Sequence, residues 1–542
     1  MLSRYFNTIR YLTWRQILAR LWFRVFRPST DLAPASRRRM ASGKWLPPIC
    51  GKESLRGRWR FEFLNQIQDL SFPGDWDPPG VPRLWVYNLH YFDDLKSCNA
   101  ADRIGLHRDL VIRWVEDNPP PSGTGWDPYP TSLRIVNWIK WVLAGNDLPP
   151  VAHHSLAVQA RWLIRRLEYH LLGNHLLANA KALIFAGIYF DGPEAETWRQ
   201  RGERVLQEQL PEQILPDGGH YERSPMYHLL VLEDLLDLVN MYNSYQLEVP
   251  GYWRDVIERM LSWSSFMRHP DGEIPFFNDA VFGVAPTPEK LDRYAKSLGF
   301  HVGDVDKNGC LSDSGYCRMM QGNAVVFVDC GAVGPDYQPG HAHADTLSFE
   351  VSVKGRRVFV NSGISTYERG EKRGYERGST AHNTLVIDGL DSSEVWAAFR
   401  VARRARIRKL ETHFRGDTSF VLAEHDGYKR LSDPILHERT WQLDNVCLEI
   451  VDRVTGRGRH LIELYFHFHP DVSIQEASKI IQISWKDSGD GIATLYPDTN
   501  VDVSIDRYSY HPEFGTNIPA QRIILRTTAN LPCTLKTRIE WL

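Results

Sequence analysis

The chain has 542 residues, which is too long for a single small core, so we expect two or three domains. Its 43% hydrophobic and 24% charged residues are typical of a globular protein and exclude a disordered one. The formal net charge of −2 provides no overall field that would attract a polyanion. Nucleic acid is therefore not an expected partner, and any acidic polymer has to be held by local patches.

The cysteines and the apolar runs exclude two further classes. The seven cysteines are scattered without a CxxC pair, which argues against a disulfide framework and against a zinc-ribbon site. No apolar run approaches the roughly 18 residues of a membrane span. The 18 Trp, 22 Tyr and 23 Phe residues have two interpretations, a large core or a groove whose rings stack on flat sugar faces.

The first 39 residues are strongly basic, with nine Arg against one acid, Asp31, for a formal charge of +8. Apolar residues near helical spacing predict a basic amphipathic helix. This helix either packs on the rest of the protein, which we favour, or lies as a peripheral contact on an anionic membrane. The arginines interrupt every apolar stretch of about 7 residues, so we expect no signal peptide. The default location is then the cytoplasm, with a periplasmic or membrane-associated one left open.

The remaining pattern predicts two halves, and the fold class is α+β and multidomain. Residues 1–84 hold the basic helix and an irregular lead-in. Residues 85–310 show helical spacing, and residues 311–542 show short β-branched segments between turns, typical of an antiparallel β-sandwich. The predicted helices are 132–143, 158–172, 175–189, 225–239 and 252–267. The predicted strands include 323–330, 346–353, 357–361, 384–388 and 420–424.

Two histidine motifs in the strand half carry the strongest chemical signal. GHAHAD occupies 340–345 and AHNT occupies 381–384. If the first motif is a strand, His341, His343 and Asp345 share one face. Three titratable groups on one face indicate a metal site, a proton-transfer site or both.

Two motifs in the helical half begin helices. GNH at 173–175 places Asn174 at a helix start, where capping is its plain structural role. DGGHYERSPMYH at 217–228 places Ser224 as N-cap and Pro225 in the first turn, so Tyr227 lies near a loop edge. A lone Tyr there is more often packing than catalysis, but the polar and aromatic groups around it favour a site.

Four strings resemble one family when they are taken in this order: GNHLLANAKALIFAGIYF, DGGHYERSPMYHLLVLEDLLDL, PGHAHADTLSFEV and AHNTLVIDG. By them the chain is identified as a member of the heparinase II/III family of polysaccharide lyases. The resemblance implies an incomplete (α/α) toroid followed by an antiparallel β-sandwich. It also implies β-elimination on a uronic-acid polymer, a glycosaminoglycan or an exopolysaccharide. The C5 proton is removed, the C4–O bond breaks and a 4,5-unsaturated uronate forms.

The resemblance assigns roles to individual positions. Asn174, with His175 beside it, matches the position that neutralises the substrate carboxylate. Tyr227 matches the family's acid, or its acid and base, and His341 matches the base used on one substrate epimer. The chemistry requires no cofactor. Further substrate contacts are predicted for Tyr221, Glu222, Arg223, Arg377 and Trp138.

Many relatives also hold a metal, often zinc, through two His and one Asp. His343 and His382 match the two His positions, whereas the Asp position falls on Asn361. An amide oxygen is a weaker zinc ligand than a carboxylate. A structural zinc and a metal-free pair of bracing His are therefore both open. A second departure is Ala178, where some relatives place a Glu.

Three functions stay open from the sequence. The first is a lyase acting on an acidic polysaccharide. The second is a catalytically degenerate, glycan-binding relative in bacterial cell-surface polysaccharide assembly, which the departures at Ala178 and Asn361 would suit. The third is a hydrolase whose metal, held by the His341 motif, activates a water. The presence of Asn174, Tyr227 and His341 favours the lyase.

Overall fold

The chain begins with two helices instead of the single one predicted, α1 (Leu2–Ile9) and α2 (Trp14–Val25). The computed structural model describes residues 2–71, 75–301, 303 and 308–542. The break between the helices follows from a capping box, in which the Thr13 side chain accepts from the backbone of Gln16 and the Gln16 side chain accepts from the backbone of Thr13. Thr13 is extended, so one helix cannot continue through it.

The predicted irregular lead-in contains a small antiparallel sheet, β1 (Leu55–Gly57), β2 (Arg60–Phe63) and β3 (Gln66–Asp69). A disulfide joins Cys50 to Cys98, and another joins Cys310 to Cys317. The prediction against disulfides was therefore wrong for these pairs, because pairing depends on which cysteines meet in the fold and not on their spacing along the chain.

The helical half matches four of the predicted helices closely. The structure adds a helix between 193 and 213 that the sequence analysis missed, because it is polar nearly all round and offers only a narrow apolar stripe. The helix predicted at 158–172 is found at Pro150–Ile164, so it begins and ends earlier in the chain than predicted. The helices of the helical half are α3 (Arg83–Tyr91), α4 (Ile104–Asp117), α5 (Pro128–Leu143), α6 (Pro150–Ile164), α7 (Gly173–Tyr189), α8 (Pro193–Gln213), α9 (Pro225–Ser244), α10 (Gly251–Phe266) and α11 (Pro288–Ser297).

The strand half holds three larger antiparallel sheets. The elements of the strand half are β4 (Gly309–Leu311), β5 (Tyr316–Gln321), β6 (Ala324–Asp329), β7 (Phe349–Val353), β8 (Arg356–Phe359), α12 (Glu371–Arg377), β9 (Leu385–Ile387), β10 (Val395–Trp396), β11 (Arg400–Val401), β12 (Ile407–Arg415), β13 (Thr418–His425), β14 (Leu436–Asp444), β15 (Cys447–Thr455), β16 (Arg459–His467), β17 (Val472–Ala477), β18 (Ile480–Trp485), β19 (Gly491–Tyr496), β20 (Asp502–Tyr510), β21 (Ile518–Asn530) and β22 (Cys533–Trp541). The first sheet has the order β4-β5-β6-β7-β8, the second β20-β21-β16-β9, and the third β12-β13-β14-β15-β22-β19-β18-β17.

The two halves share an apolar interface. The core of the helical half continues into the strand half, where it includes Val360, Ile364, Tyr510 and Phe514. A separate core lies between the sheets of the strand half. The shared interface brings the first turns of α7 and α9 towards the irregular segment that carries the GHAHAD motif.

The GHAHAD motif is not a strand, so its predicted alternation was wrong. Residues 341–345 are irregular, and β7 begins only at Phe349. The segment is instead fixed by contacts with the chain between α10 and α11. The backbone N–H of Asp279 donates to the carbonyl of His341, and the backbone N–H of His343 donates to the Asn278 side chain.

Candidate active site

A cleft of roughly 1220 Å³ lies between the helical and strand halves. The four residues predicted to be catalytic all line it: Asn174, His175, Tyr227 and His341. They come from α7, α9 and the GHAHAD segment, so only the folded chain brings them together. Aromatic side chains also line the cleft: Tyr87, Tyr91, Tyr129, Phe282, Tyr367, Phe399 and Phe514.

Asn174 and His175 lie in the first turn of α7. The chain enters this helix through Leu172 and Gly173, whose φ angles of 64° and 57° are both in the left-handed region. A Cβ on Gly173 would lie 2.7 Å from the Glu222 carboxylate, so glycine is required both for the turn and for the close approach. Burial raises the pKa of Tyr129, and the neighbouring Asn174 amide opposes that rise.

His175 is held by Glu168, whose Oε1 lies 3.2 Å from His175 Nδ1. Burial alone would lower the pKa of His175, but the Glu168 carboxylate outweighs burial and raises the pKa above its ordinary value. The ring of Tyr129 covers the imidazole at 4.3 Å between centroids. The raised pKa of His175 favours the cationic imidazole, which suits the binding of an anion beside Asn174 in the cleft.

Tyr227 lies in the first turn of α9. The Ser224 side chain accepts from the Tyr227 backbone at 3.2 Å, as the predicted N-cap should. The ring of Tyr227 stacks on that of His341 with 3.9 Å between centroids, and the Tyr227 hydroxyl lies 3.1 Å from the Tyr367 hydroxyl. Burial raises the pKa of Tyr227 well above its ordinary value, so the phenol is neutral and able to donate a proton.

Asp279 is the hub that positions the histidines. Its Oδ2 lies 2.8 Å from His341 Nδ1, and its Oδ1 lies 2.7 Å from His343 Nε2. Arg373 donates to both carboxylate oxygens, at 2.6 and 2.7 Å. Burial would raise the pKa of Asp279, but Arg373 and the two histidines hold it well below its usual range. The hub is therefore an ionised, fully buried carboxylate.

This arrangement sets the tautomer of His341. Because Nδ1 faces the Asp279 carboxylate, it carries the proton and donates it. Nε2 is then the nitrogen with the free lone pair, and the ring lines the cleft. Glu222 Oε2 lies 3.7 Å from Nε2, and burial raises the pKa of this carboxyl group. His341 thus has the geometry of a general base.

Three buried side chains below His341 form a group that could hold a metal ion: His343, Asp345 and His382. His343 Nδ1 lies 3.2 Å from His382 Nε2. One ligand atom from each of the three side chains lies within 4.8 Å of the other two. Two imidazoles and a carboxylate are donors that suit zinc, and the bond from His343 to Asp279 is the usual outer support of such a ligand. The residues therefore fit the metal.

The structure groups Asp345, which the GHAHAD motif already offered as a possible ligand, with His343 and His382, where the resemblance predicted Asn361. Asn361 is also buried, and its side-chain oxygen accepts from the backbone of Asn383 at 3.2 Å. The assignment of Asn361 as a ligand stays a prediction. Burial raises the pKa of Asp345 to about 6, which bound cationic charge would reverse.

Unlike the four predicted catalytic residues, the predicted substrate contacts do not line the cleft. Trp138 and Arg377 are fully buried, Trp138 in the aromatic core and Arg377 donating to the carbonyl of Ala342, so a substrate contact is wrong for both. Arg223 donates to the carbonyls of Asp313 and Ser314. None of these three side chains lines the cleft.

Tyr221 and Glu222 are buried directly behind Gly173. Neither lines the cleft, so their predicted substrate contact is corrected to a supporting position under the first turn of α7. Their burial follows from the missing side chain of Gly173, which lets the Glu222 carboxylate approach the helix start.

Three residues of the site were not predicted from the sequence: Asp279, Tyr367 and Arg373. They lie outside the motifs and reach the site only through long-range contacts. One signal was available for Asp279, since it stands in the apolar string PFFNDAVFG. A carboxylate inside such a string is expected to be buried and paired.

Comparison with known proteins identifies the class. The heparinase II/III N-terminus model matches residues 141–297, and the heparinase II/III-like, C-terminal model matches residues 309–542. Together they cover most of the chain. The protein therefore belongs to the heparinase II/III family.

Particular relatives refine this result. The heparin-sulfate lyase of Bacteroides stercoris is 27% identical over 322 residues, covering 55% of this chain and 46% of that protein. FtsZ-localized protein C of Caulobacter vibrioides is 26% identical over 490 residues, covering 84% of this chain and 82% of that protein. The chain spans between 46% and 62% of the length of the curated heparin-sulfate lyases that it matches.

The crystal structure of heparinase III superimposes with a TM-score of 0.72 at 19% identity, covering 97% of this chain and 89% of that chain. This likeness confirms the predicted fold class, an (α/α) toroid followed by an antiparallel β-sandwich.

Proposed function

We propose that the protein is a polysaccharide lyase that cleaves a uronic-acid-containing polymer by β-elimination. One observation carries the proposal: the phenol of Tyr227 stacks on His341 at 3.9 Å between centroids, in a cleft that Asn174 also lines. An acid, a base and an amide donor thus surround one space. Membership of the family, and relatives named as heparin-sulfate lyases, support the same reaction.

Removal of the C5 proton makes the substrate carboxylate carry developing negative charge. Asn174 stabilises this charge by donating its amide N–H, and the raised pKa of His175, due to Glu168 against the opposing effect of burial, favours a neighbouring cation. A donor that is already oriented costs no reorganisation when the charge appears. Because Asn174 lies at the start of α7, the positive end of the helix dipole also stabilises the negative charge on the substrate carboxylate.

Two proton transfers complete the elimination. His341 Nε2 accepts the C5 proton, and the Asp279 carboxylate at Nδ1 stabilises the imidazolium that forms. The C5 electron pair forms the C4–C5 double bond as the C4–O bond breaks. Tyr227 donates its hydroxyl proton to the departing oxygen. The His341 imidazolium then releases its proton to solvent and the Tyr227 phenolate takes one up, so both residues return to their starting states.

The charges that line the cleft indicate the kind of polymer. The lining holds nine Lys or Arg and eight Asp or Glu side chains. Several cations are already paired, as in Arg83 with Asp127 at 2.8 Å and Arg56 with Glu62 at 2.7 Å. A densely sulfated chain would need a clear excess of cations. We therefore propose a polymer whose anionic groups are mainly its uronate carboxylates.

The metal is proposed as a structural element. His343, His382 and Asp345 would hold it, and bound there it would supply a fixed positive charge that locks the GHAHAD segment under the cleft. Proton transfer is assigned to His341 and Tyr227, and neither belongs to that group.

The test is ultraviolet absorbance of the conjugated uronate product on a panel of uronate polymers, sulfated and unsulfated. We expect a rise with the wild type on unsulfated polymers and none with Tyr227→Phe. Tyr252→Phe, at a partly exposed position on α10, is the matched control and should match the wild type. Equal rates for Tyr227→Phe and the wild type would remove Tyr227 from the mechanism.

A second candidate is a glycan-binding relative without turnover. It is favoured by Ala178 and by the match to FtsZ-localized protein C, which extends over most of both chains. This candidate predicts a flat absorbance trace on every polymer together with saturable binding to at least one. Tyr227→Phe would then change affinity alone.

A further inference from the structure

Helix α2 turns its apolar face to solvent. Trp14, Leu18, Leu21, Trp22 and Val25 stand one or two turns apart, and Trp14 and Val25 are 80% and 81% exposed. Helix α1 also exposes the apolar side chains of Leu2 and Phe6. We call the apolar stripe of α2 the outer face: Trp14, Leu18, Leu21, Trp22 and Val25.

The opposite side of α2 fixes this orientation. Gln16 is fully buried and donates to the carbonyl of Tyr337 at 3.0 Å. Arg15 pairs with Glu208 at 3.0 Å, and Phe23 packs on His170 with 4.0 Å between ring centroids. Helices of soluble domains normally bury their apolar stripe and expose their polar one. Here the polar contacts hold the helix to the protein, and the apolar stripe is left outside.

Helix α1 is held in the same manner, by contacts with the strand half. Tyr5 meets Trp396 edge to face at 4.8 Å, and Trp396 donates to the side chain of Thr8 at 3.1 Å. The two helices therefore form a strap that joins both halves, with its outer face directed away from them.

The charge of the strap selects the partner. Arg4, Arg10, Arg24 and Arg27 are exposed in or beside the two helices. Trp and Leu on one face with Arg around them are typical of helices that lie in the interface of an anionic bilayer. A second copy of this chain would instead bring the same arginines together, which like-charge repulsion opposes.

The geometry points to an in-plane membrane contact, and we propose that the outer face inserts into the headgroup region of an anionic phospholipid bilayer. Helix α2 has 12 residues and is about 18 Å long, which is too short to span. No helix in the part of the chain that the structure describes is long and apolar enough to cross a membrane. The strap thus lies on the bilayer.

The contact has a consequence for the cleft. Tyr5, Thr8 and Ile9 of α1 line part of the cleft, so a bilayer bound to the strap lies close to it. A polymer that is made at or attached to a membrane would then reach the cleft directly. This placement serves a lyase and a glycan-binding protein equally, so the membrane proposal stands independently of turnover.

The test is co-sedimentation of the full chain with vesicles of phosphatidylcholine alone and of phosphatidylcholine mixed with phosphatidylglycerol. We expect binding to the mixed vesicles and much weaker binding to the neutral ones. The double variant Leu18→Glu/Trp22→Glu should bind the mixed vesicles at least about tenfold more weakly, since two large side chains can no longer be inserted. Arg24→Glu should weaken binding to the mixed vesicles only.

Val446→Glu is the matched control. Val446 is 59% exposed in the turn between β14 and β15, far along the chain from the strap, and this variant should bind as the wild type does. Wild-type protein that stays in the supernatant with both vesicles would overturn the proposal, as would equal binding by the double variant. If the wild type were a dimer that does not bind vesicles, and the double variant were a monomer, the outer face would instead be assigned to contact with a second copy.

Discussion

The two walls of the cleft hold their functional groups in different ways. On the helical wall, Asn174 and Tyr227 lie in the first turns of α7 and α9, which are 17 and 20 residues long and almost wholly buried. On the strand wall, His341 lies on an irregular segment and depends on the Asp279 carboxylate and, through it, on Arg373.

The two walls should therefore respond differently to substitution. Helix packing is distributed over many contacts, so one side chain on the helical wall can change without moving the backbone. The strand wall depends on one buried network of charges, in which the loss of a single member leaves the others unpaired. Variants on the helical wall should affect chemistry, and variants of the hub should affect both chemistry and folding.

The largest effect is expected from Asp279→Ala. It leaves the buried Arg373 guanidinium without its partner and frees both histidines. Breaking a buried pair in this way costs about 3–5 kcal/mol. Denaturant unfolding should show that decrease in the free energy of unfolding, together with loss of activity.

Asp506→Ala is the control for that prediction. Asp506 pairs with Arg522 at 2.8 Å at a half-exposed position, and such surface pairs are worth less than about 1 kcal/mol. Similar losses for the two variants would contradict the distinction between the buried hub and the surface.

The next effect is expected from Asn174→Asp. The change keeps the shape and places an anion at a helix N-terminus, which the dipole tolerates. It also directs that anion at the substrate carboxylate, so kcat/KM should fall about 100- to 1000-fold with an unchanged melting temperature.

Asn500→Asp, in an exposed loop, provides the matched control and should leave both quantities unchanged. If Asn174→Asp retained full activity, carboxylate neutralisation would have to be reassigned on the helical wall.

The third prediction concerns the pH dependence of stability, in which a histidine of each half should act in opposite directions. Burial in α9 lowers the pKa of His228 to about 3, against an unfolded value of 6.5. Between these values the unfolded chain binds the proton and the folded one does not, so this group makes stability fall as pH drops from about 6.5 to 3. His228→Gln keeps a donor for the Met260 carbonyl and should flatten the slope by about 1.4 kcal/mol per pH unit.

His460 in the strand half has the opposite sign. Its bond to Asp388 raises its pKa, so its contribution is present below the unfolded value and is lost as pH rises through the folded pKa. His460→Gln should therefore weaken the protein slightly in mild acid. Urea unfolding across the pH range would measure both variants, and slopes that change in the same direction would contradict the assignment.

The smallest effect is expected from Tyr367→Phe. This removes the hydroxyl that lies 3.1 Å from that of Tyr227 but leaves the acid itself in place. One such hydrogen bond is worth about 1 kcal/mol, so kcat/KM should fall about fivefold. A loss as large as that of Tyr227→Phe would show that Tyr367 is the proton donor.

Much of this protein was predictable from sequence. Helical periodicity located α5, α7, α9 and α10, because an amphipathic or buried helix repeats its apolar residues along the chain itself. Family resemblance located Asn174, Tyr227 and His341, and all three line one cleft. The polar helix α8 was missed because it depends on contact with α7 and has little pattern of its own.

Local patterning and short motifs are enough to predict the helical and strand halves, the helices α5, α7, α9 and α10, and the residues that the proposed elimination would use. Which residues meet in the site is set by the three-dimensional fold. Asp279, Tyr367 and Arg373 join the site through contacts between residues distant in the chain, and the burial of Trp138 and Arg377 follows from packing in three dimensions. The outward face of α2 belongs to the same kind, because periodicity shows that a helix has an apolar side but not whether the fold covers it.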